Sequence, residues 1–219
     1  GKTGINSAHG KNLIGSFHSP VGVLVDLDFI ETLTERDLAA GMAEVVKCGF
    51  ISDPEILKLL SKKVLKDVIN DSELQLELIY RAISVKAKVV GEDFKESYLR
   101  EILNYGHTLG HAIEKHSGYS LRHGEAISIG MCFAAELGNL KLGLTKDLVD
   151  LHYEILNALK LPTSYMPNAW EALEQAMYSD KKVKNGSLRF VGIDSIASCR
   201  RIEDATKQEL IECYERISQ

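Results

Sequence analysis

Residues 126–135, Ala-Ile-Ser-Ile-Gly-Met-Cys-Phe-Ala-Ala, present no charged side chain to any side of a helix. A helix without a polar face is an interior helix. A second stretch, Leu38 to Ile51, carries only Glu44 and Lys47 as charged residues and reads the same way. From Thr34 onward the punctuation is helical. Thr34-Glu35-Arg36-Asp37 opens the first helix, and Asp53-Pro54 opens another with Asp as cap and Pro in the first turn. Asp71 opens a long helix in which Leu76, Ile79, Tyr80, Ile83, Ala87 and Val90 recur at three and four and predict its apolar face. Further helices are predicted near 98–116, 124–140, 145–159, 168–178 and 205–217. Asn185-Gly186 predicts a turn before a short strand, Leu188 to Ile193.

Residues 1–28 differ. Gly1 to Asn6 and Lys11 to Phe17 alternate and are punctuated by glycine, and Val21 to Asp26 is a β-branched apolar run, so strands and loops are expected there. A run with little polar alternation suits a strand covered on both faces, yet nothing upstream supplies a sheet. The chain also opens at Gly1-Lys2-Thr3 without a Met. The expectation is a chain that lacks its N-terminal part.

The 219 residues carry a net charge of −5, which excludes a general affinity for nucleic acid or for a membrane surface. An anion would have to be held by a local cluster of Lys and Arg. No window approaches the roughly 18 apolar residues needed to cross a bilayer. Cys48, Cys132, Cys199 and Cys213 form no CxxC pair, and two of them sit in apolar runs, so reduced, buried thiols are expected.

Three groups of residues suggest chemistry. On the helix predicted near 98–116, Arg100, Asn104, His107, His111 and Glu114 follow the spacing 4, 3, 4, 3 and fall within about 80° of one another. A polar stripe is ordinarily a solvated face, but solvated faces are rich in Lys and Glu, and this one holds two His, an Asn and an Arg. Gly106 and Gly110 in the same stretch predict close approach of another element, since glycine costs a helix about 1 kcal/mol. Two His at i and i+4 can both reach one metal. Glu44 and Lys47 form the second group, neighbours on one face of an apolar helix, where a buried pair would need partners such as a metal and an anion. His123 is the third, at the mouth of the interior helix; the helix dipole there disfavours imidazolium and predicts a neutral ring able to ligate. One Glu, two or more His and open positions describe a catalytic zinc-type site. Lys47, Lys86, Arg100 and Lys181 or Lys182 would hold phosphate or carboxylate.

These residues lie in segments that resemble the 3-dehydroquinate synthase family of sugar-phosphate cyclases: Gly1-Lys2-Thr3, Gly10 to Gly15, Asp26-Leu27-Asp28, Ala43 to Lys47, Leu103 to Glu114, His123 to Ala126 and Asp180-Lys181-Lys182. The segments run in family order over nearly the whole chain. The resemblance implies a mainly α fold. Residues 34–219 would form the helical metal- and substrate-binding domain with a short C-terminal hairpin, and residues 1–33 the trailing strands of a Rossmann-like NAD domain. It implies Glu44, His107 and His123 as ligands of Zn2+ or Co2+. It moves His111, which spacing alone puts on the metal, to the substrate, alongside Asn12, Lys47, Lys86, Arg100, Asn104 and Lys181 or Lys182. Lys2, Lys11 and the turn Phe29, Ile30, Glu31, Thr32 would touch NAD. The implied activity is a cytoplasmic lyase of aromatic amino acid biosynthesis acting on a small phosphorylated keto-acid, homodimeric at full length. No glycine-rich G-x-G-x-x-G follows a strand here, so the 219 residues alone are expected to bind NAD weakly and not to turn over. Another cyclase, or a helical interaction domain with a structural metal, would share part of this pattern.

Overall fold

The computed structural model describes residues 4–7, 10–18, 21–92, 99–180 and 188–218. The predicted turn at Asn185-Gly186 lies outside them. The chain separates into two compact units, Gly1–Thr32 and Leu33–Gln219.

In the first unit, β1 (Ile5–Ser7) and β2 (Gly10–Ile14) pair antiparallel, with Ile5 opposite Ile14 and Ser7 opposite Gly10. The apolar run 21–26 is not a strand. A strand needs a neighbour to take its backbone hydrogen bonds, and among the described residues nothing pairs with this run. A 3₁₀ turn follows at Leu27–Thr32. Asp26 Oδ1 accepts the Asp28 N–H at 3.0 Å at its start, and Thr32 Oγ1 donates to the Phe29 carbonyl at 2.7 Å at its end.

The second unit is mainly helical, as the sequence predicts. Its helices are α1 (Glu35–Ile51), α2 (Pro54–Leu60), α3 (Leu65–Ile69), α4 (Ser72–Glu92), α5 (His107–His116), α6 (His123–Leu142), α7 (Lys146–Ala158), α8 (Trp170–Asp180) and α9 (Lys207–Arg216). Thr34 caps α1 by accepting the Asp37 N–H, and Asp53 caps α2 by accepting that of Glu55. A hairpin of β3 (Phe190–Ser195) and β4 (Ser198–Ile202) turns at Ile196-Ala197. No described helix is long and apolar enough to cross a membrane. Cys48, Cys132 and Cys213 are buried free thiols, and Cys199 is half-buried.

Helix α6 is the centre. Every residue from Gly124 to Gly138 is buried, and α1, α5, α7, α9 and β3 pack around it. Two of its glycines set how close the neighbours come. A Cβ on Gly124 would stand 1.8 Å from the Ala40 carbonyl oxygen of α1, and one on Gly130 would stand 1.9 Å from that of Gly106. Backbone meets backbone at both points, where any side chain would hold the helices apart.

Two sequence expectations fail here for physical reasons. The predicted continuous helix 98–116 is a 3₁₀ turn, Leu99–Asn104, followed by α5. Gly106 breaks it in the left-handed conformation, φ +78°, lodged against Met131 and the Ile127 carbonyl. Gly106 and Gly110 do mark close approach, since α6 runs against both. On α4 the buried residues are Leu74, Leu78, Val85 and Val89, roughly opposite the predicted stripe. Leu76, Tyr80 and Ile83 are exposed. The helix is apolar on two sides, and periodicity does not choose between them.

A polar pair lies within the core. His152 is fully buried, stacked on Phe50 at 3.5 Å between ring centroids. Its Nδ1–H donates to the Leu148 carbonyl at 2.6 Å, which leaves Nε2 to accept the Tyr105 hydroxyl at 2.9 Å. Burial pushes His152 down to about 4 from its ordinary 6.5.

Gly130→Ala is expected to cost about 3 kcal/mol or more by overpacking, against about 1 kcal/mol for Gly143→Ala, where the φ is +76° but the space is open. Urea unfolding of both variants measures the contrast, and equal losses would contradict it. For His152, the unfolded chain takes up a proton between pH 6.5 and 4 that the folded chain refuses. Stability is therefore whole above pH 6.5 and falls as pH drops to about 4, by up to about 3 kcal/mol. His152→Gln is expected to remove about one proton from the pH dependence of the urea midpoint over that window.

Candidate metal centre

Three side chains from three helices meet at one point. Glu44 lies midway along α1, His107 is the first residue of α5, and His123 is the first residue of α6. Their positions follow from the backbone contacts above, because Gly130 seats the turn that carries His107 and Gly124 seats α1 beside the start of α6. Charged side chains tie the same helix ends. Arg36 grips the Glu125 carboxylate with Nε at 2.5 Å and Nη2 at 2.7 Å, and Arg122 Nε reaches Asp37 at 2.5 Å.

Nε2 of His107 and Nε2 of His123 each stand 3.5 Å from Glu44 Oε1. One ligand atom from each of the three lies within 4.8 Å of the others. Glu44 Oε1 is sequestered from solvent and has no hydrogen-bond partner. Buried carboxylate oxygens are ordinarily satisfied, so this one calls for a cation. The other oxygen, Oε2, accepts from Lys47 Nζ at 2.6 Å, and Lys47 is only 3% exposed. The far sides of both imidazoles are engaged. His107 Nδ1 donates to the Tyr105 carbonyl at 3.1 Å, and His123 Nδ1 lies 3.0 Å from Glu114 Oε2. Both Nε2 atoms are thereby aimed at the shared space. The side chains of Glu44 and His123 are 43% and 44% exposed, so the cluster is open on one side.

The electrostatics divide the two rings. Burial, with the Lys47 charge beside it, pushes His107 down to about 3, which keeps its lone pair free. The Glu114 carboxylate, with Glu44 adding to it, pulls His123 up to about 9. Two nearby carboxylates thus pull against the helix dipole, which by itself favours the neutral ring. Burial would raise Glu44, but His123 and Lys47 together hold it well below the usual carboxylate range. An anionic oxygen and two imidazole nitrogens with an open side form a donor set that suits Zn2+ or Co2+ with exchangeable positions.

The other predicted site residues fall as follows. His111 is exposed on α5, its ring centroid 5.2 Å from that of His107 and 5.8 Å from that of His123. It also belongs to a second three-residue cluster with Glu114 and His123. Half-buried Arg100 and exposed Asn104 lie on the 3₁₀ turn that leads into Gly106 and His107, not on a shared helical stripe. Lys86 is exposed on α4, which packs on α1. Phe29, Ile30, Glu31 and Thr32 make the 3₁₀ turn of the first unit. Lys2, Lys181 and Lys182 lie outside the described residues, as do the side chains of Lys11 and Asn12. The role of Glu114 was not anticipated. The signal available was its place on the stripe with His107 and His111, a single acid among histidines.

The chain resembles known proteins along its whole length. A family model described as 3-dehydroquinate synthase C-terminal matches residues 41–183, and one described as 3-dehydroquinate synthase N-terminal matches residues 1–40. The chain is 48% identical to a 3-dehydroquinate synthase of Corynebacterium diphtheriae and 52% identical to one of Paenarthrobacter aurescens, in both cases over all of this chain and 60% of the relative. It thus spans about 60% of the length of the curated relatives it matches. Among solved structures, a 2-deoxy-scyllo-inosose synthase complexed with carbaglucose-6-phosphate, NAD+ and Co2+ is 28% identical with a TM-score of 0.76, over 97% of this chain and 61% of that one. The 2-epi-5-epi-valiolone synthase of Streptomyces hygroscopicus, with NAD+ and Zn2+ bound, has a TM-score of 0.88 over 99% of this chain and 61% of that one. At 24% identity that match speaks to the fold alone.

Proposed function

We propose, since the chain belongs to the 3-dehydroquinate synthase family, that it is the metal- and substrate-binding part of a 3-dehydroquinate synthase. The proposed reaction converts 3-deoxy-D-arabino-heptulosonate 7-phosphate to 3-dehydroquinate and phosphate, in the cytoplasm, on the shikimate route to aromatic amino acids. The observation that carries this reading is the orphaned Glu44 Oε1, held 3.5 Å from two imidazole nitrogens whose other ring atoms are already engaged. Glu44, His107 and His123 would hold Zn2+ or Co2+, which supplies Lewis acidity toward a pair of substrate hydroxyls. NAD would be held by Lys2, Lys11 and the Phe29–Thr32 turn, and supplies a hydride acceptor and donor.

The chain's own residues orient and neutralise. The proposed substrate carries a carboxylate and a phosphate, and the resemblance implies contacts from Asn12, Lys47, Lys86, Arg100, Asn104, His111 and Lys181 or Lys182. Lys47 contributes most from structure: a buried ammonium fixed by Glu44 Oε2 presents its charge without rearrangement. Oxidation of a ring hydroxyl to a ketone acidifies the neighbouring C–H. That proton leaves as phosphate departs, and the phosphate's own oxygen can accept it. After the hydride returns, ring opening and an internal aldol close the carbocycle. The protein's part is then to hold one conformation and to exclude water from the reacting centre. The full-length enzyme is proposed to be a homodimer.

A second reading is another cyclase reaction, favoured by the fold shared with the inosose and valiolone synthases. Relatives near 50% identity named 3-dehydroquinate synthase favour the first. A purely structural metal is disfavoured by the open side of the cluster, because structural sites are closed. Equilibrium dialysis is expected to retain one Zn2+ or Co2+ per chain, and Glu44→Ala or His107→Ala to weaken retention beyond the about 10- to 100-fold typical of losing a partner behind a ligand. Supplied with NAD, metal and the seven-carbon substrate, the active enzyme should release phosphate and a product with the mass of 3-dehydroquinate. A different product mass assigns a different cyclase reaction. A tightly held ion that neither exchanges nor responds to substrate would leave only the structural role.

A further inference from the structure

Glu114 is a buried carboxylate that the proposed reaction does not use. It sits in the second half of α5 at 4% exposure, and its Oε2 lies 3.0 Å from His123 Nδ1. Burying a carboxylate is costly unless its hydrogen bonds repay the loss of water. The partner here is itself nearly half exposed, so the contact is not needed to satisfy His123, which water could serve. What the contact does is directional. It engages one ring nitrogen from the interior side and leaves the other, Nε2, facing Glu44 Oε1. His107 is held on the same plan with a different acceptor, the neutral Tyr105 carbonyl. The two rings are therefore oriented from behind by acceptors on α5 or immediately before it.

We propose that Glu114 is a positioning residue for the metal centre: its carboxylate fixes the ring of His123 through Nδ1–H, aims Nε2 at the space shared with Glu44 and His107, and so sets the affinity for a divalent cation. This rests on the reading of Glu44, His107 and His123 as ligands. Carboxylate or carbonyl acceptors behind metal-bound imidazoles both orient the ring and raise its donor strength, and losing one typically weakens binding 10- to 100-fold. A rival use of the same atoms is a second ion between His111, Glu114 and His123, which also cluster. The 3.0 Å separation is a hydrogen-bond length with the proton between the two atoms, so Glu114 Oε2 and His123 Nδ1 already occupy each other.

The test compares the 219-residue chain with its Glu114→Gln and Glu114→Ala variants. Zn2+ affinity is measured by chelator competition, stoichiometry by dialysis, and the His123 ring by 15N-coupled proton NMR. The wild type should show a slowly exchanging, strongly downfield His123 Nδ1–H and bind one ion. Glu114→Gln keeps an acceptor oxygen, so it should keep a protected Nδ1–H, shifted upfield, and lose less than about 10-fold in affinity. Glu114→Ala should lose the protected proton and about 10- to 100-fold in affinity. A structural role alone would not keep the proton signal and the affinity in Glu114→Gln while removing both in Glu114→Ala. Unchanged affinity in both variants, or no protected Nδ1–H in the wild type, overturns the proposal. A second bound ion that disappears in both variants overturns it in favour of the His111 cluster. A wild type that takes up no ion sinks the three-ligand reading, and with it the affinity role claimed for Glu114.

Discussion

Helix α6 lacks a Cβ at Gly124 and Gly130, and at those positions the backbone of α1 and the turn before α5 come closer than side chains allow. The Glu44, His107 and His123 side chains inherit their places from these two seams. Each belongs to a different helix, so no local propensity could bring them together. The precision of the cluster depends on rigid contacts that do not rely on rotamers. The arginine pairs, Arg36 with Glu125 and Arg122 with Asp37, act on the same helix ends and restrain sliding along the seam.

Charge is distributed so that the cluster is neither self-neutralised nor repulsive. Lys47 takes one oxygen of Glu44 and leaves the other orphaned. The Lys47 ion pair thus polarises a carboxylate whose other oxygen stays able to ligate. Burial and the Lys47 charge push His107 down to about 3, while the Glu114 carboxylate, with Glu44 adding to it, pulls His123 up to about 9. Identical side chains thus become distinct through burial and the charges around them.

The helical unit was legible where burial left a one-sided pattern. The interior character of α1 and α6 follows from their lack of charge, and the capped starts at Thr34 and Asp53 are local chemistry. The pairing of Glu44 with two histidines was legible as composition, but its geometry was not, because it is set by helix seams far apart in sequence. Spacing placed Arg100 and Asn104 on one stripe with His107, and the left-handed Gly106 separates them. A lone glycine can be tolerated in a helix, so only its tertiary contact with Met131 and Ile127 decides that it is a joint. The face of α4 was misread because both sides are apolar. The carboxylate behind His123 was not legible, because nothing in the spacing brings Glu114, nine residues away, to its ring.

Gly106 combines a backbone sign change, a helix seam and the aim of His107 in one residue. A replacement there strains the left-handed backbone and presses on α6 in the same step, so the packing of the core and the aim of the His107 ring change together.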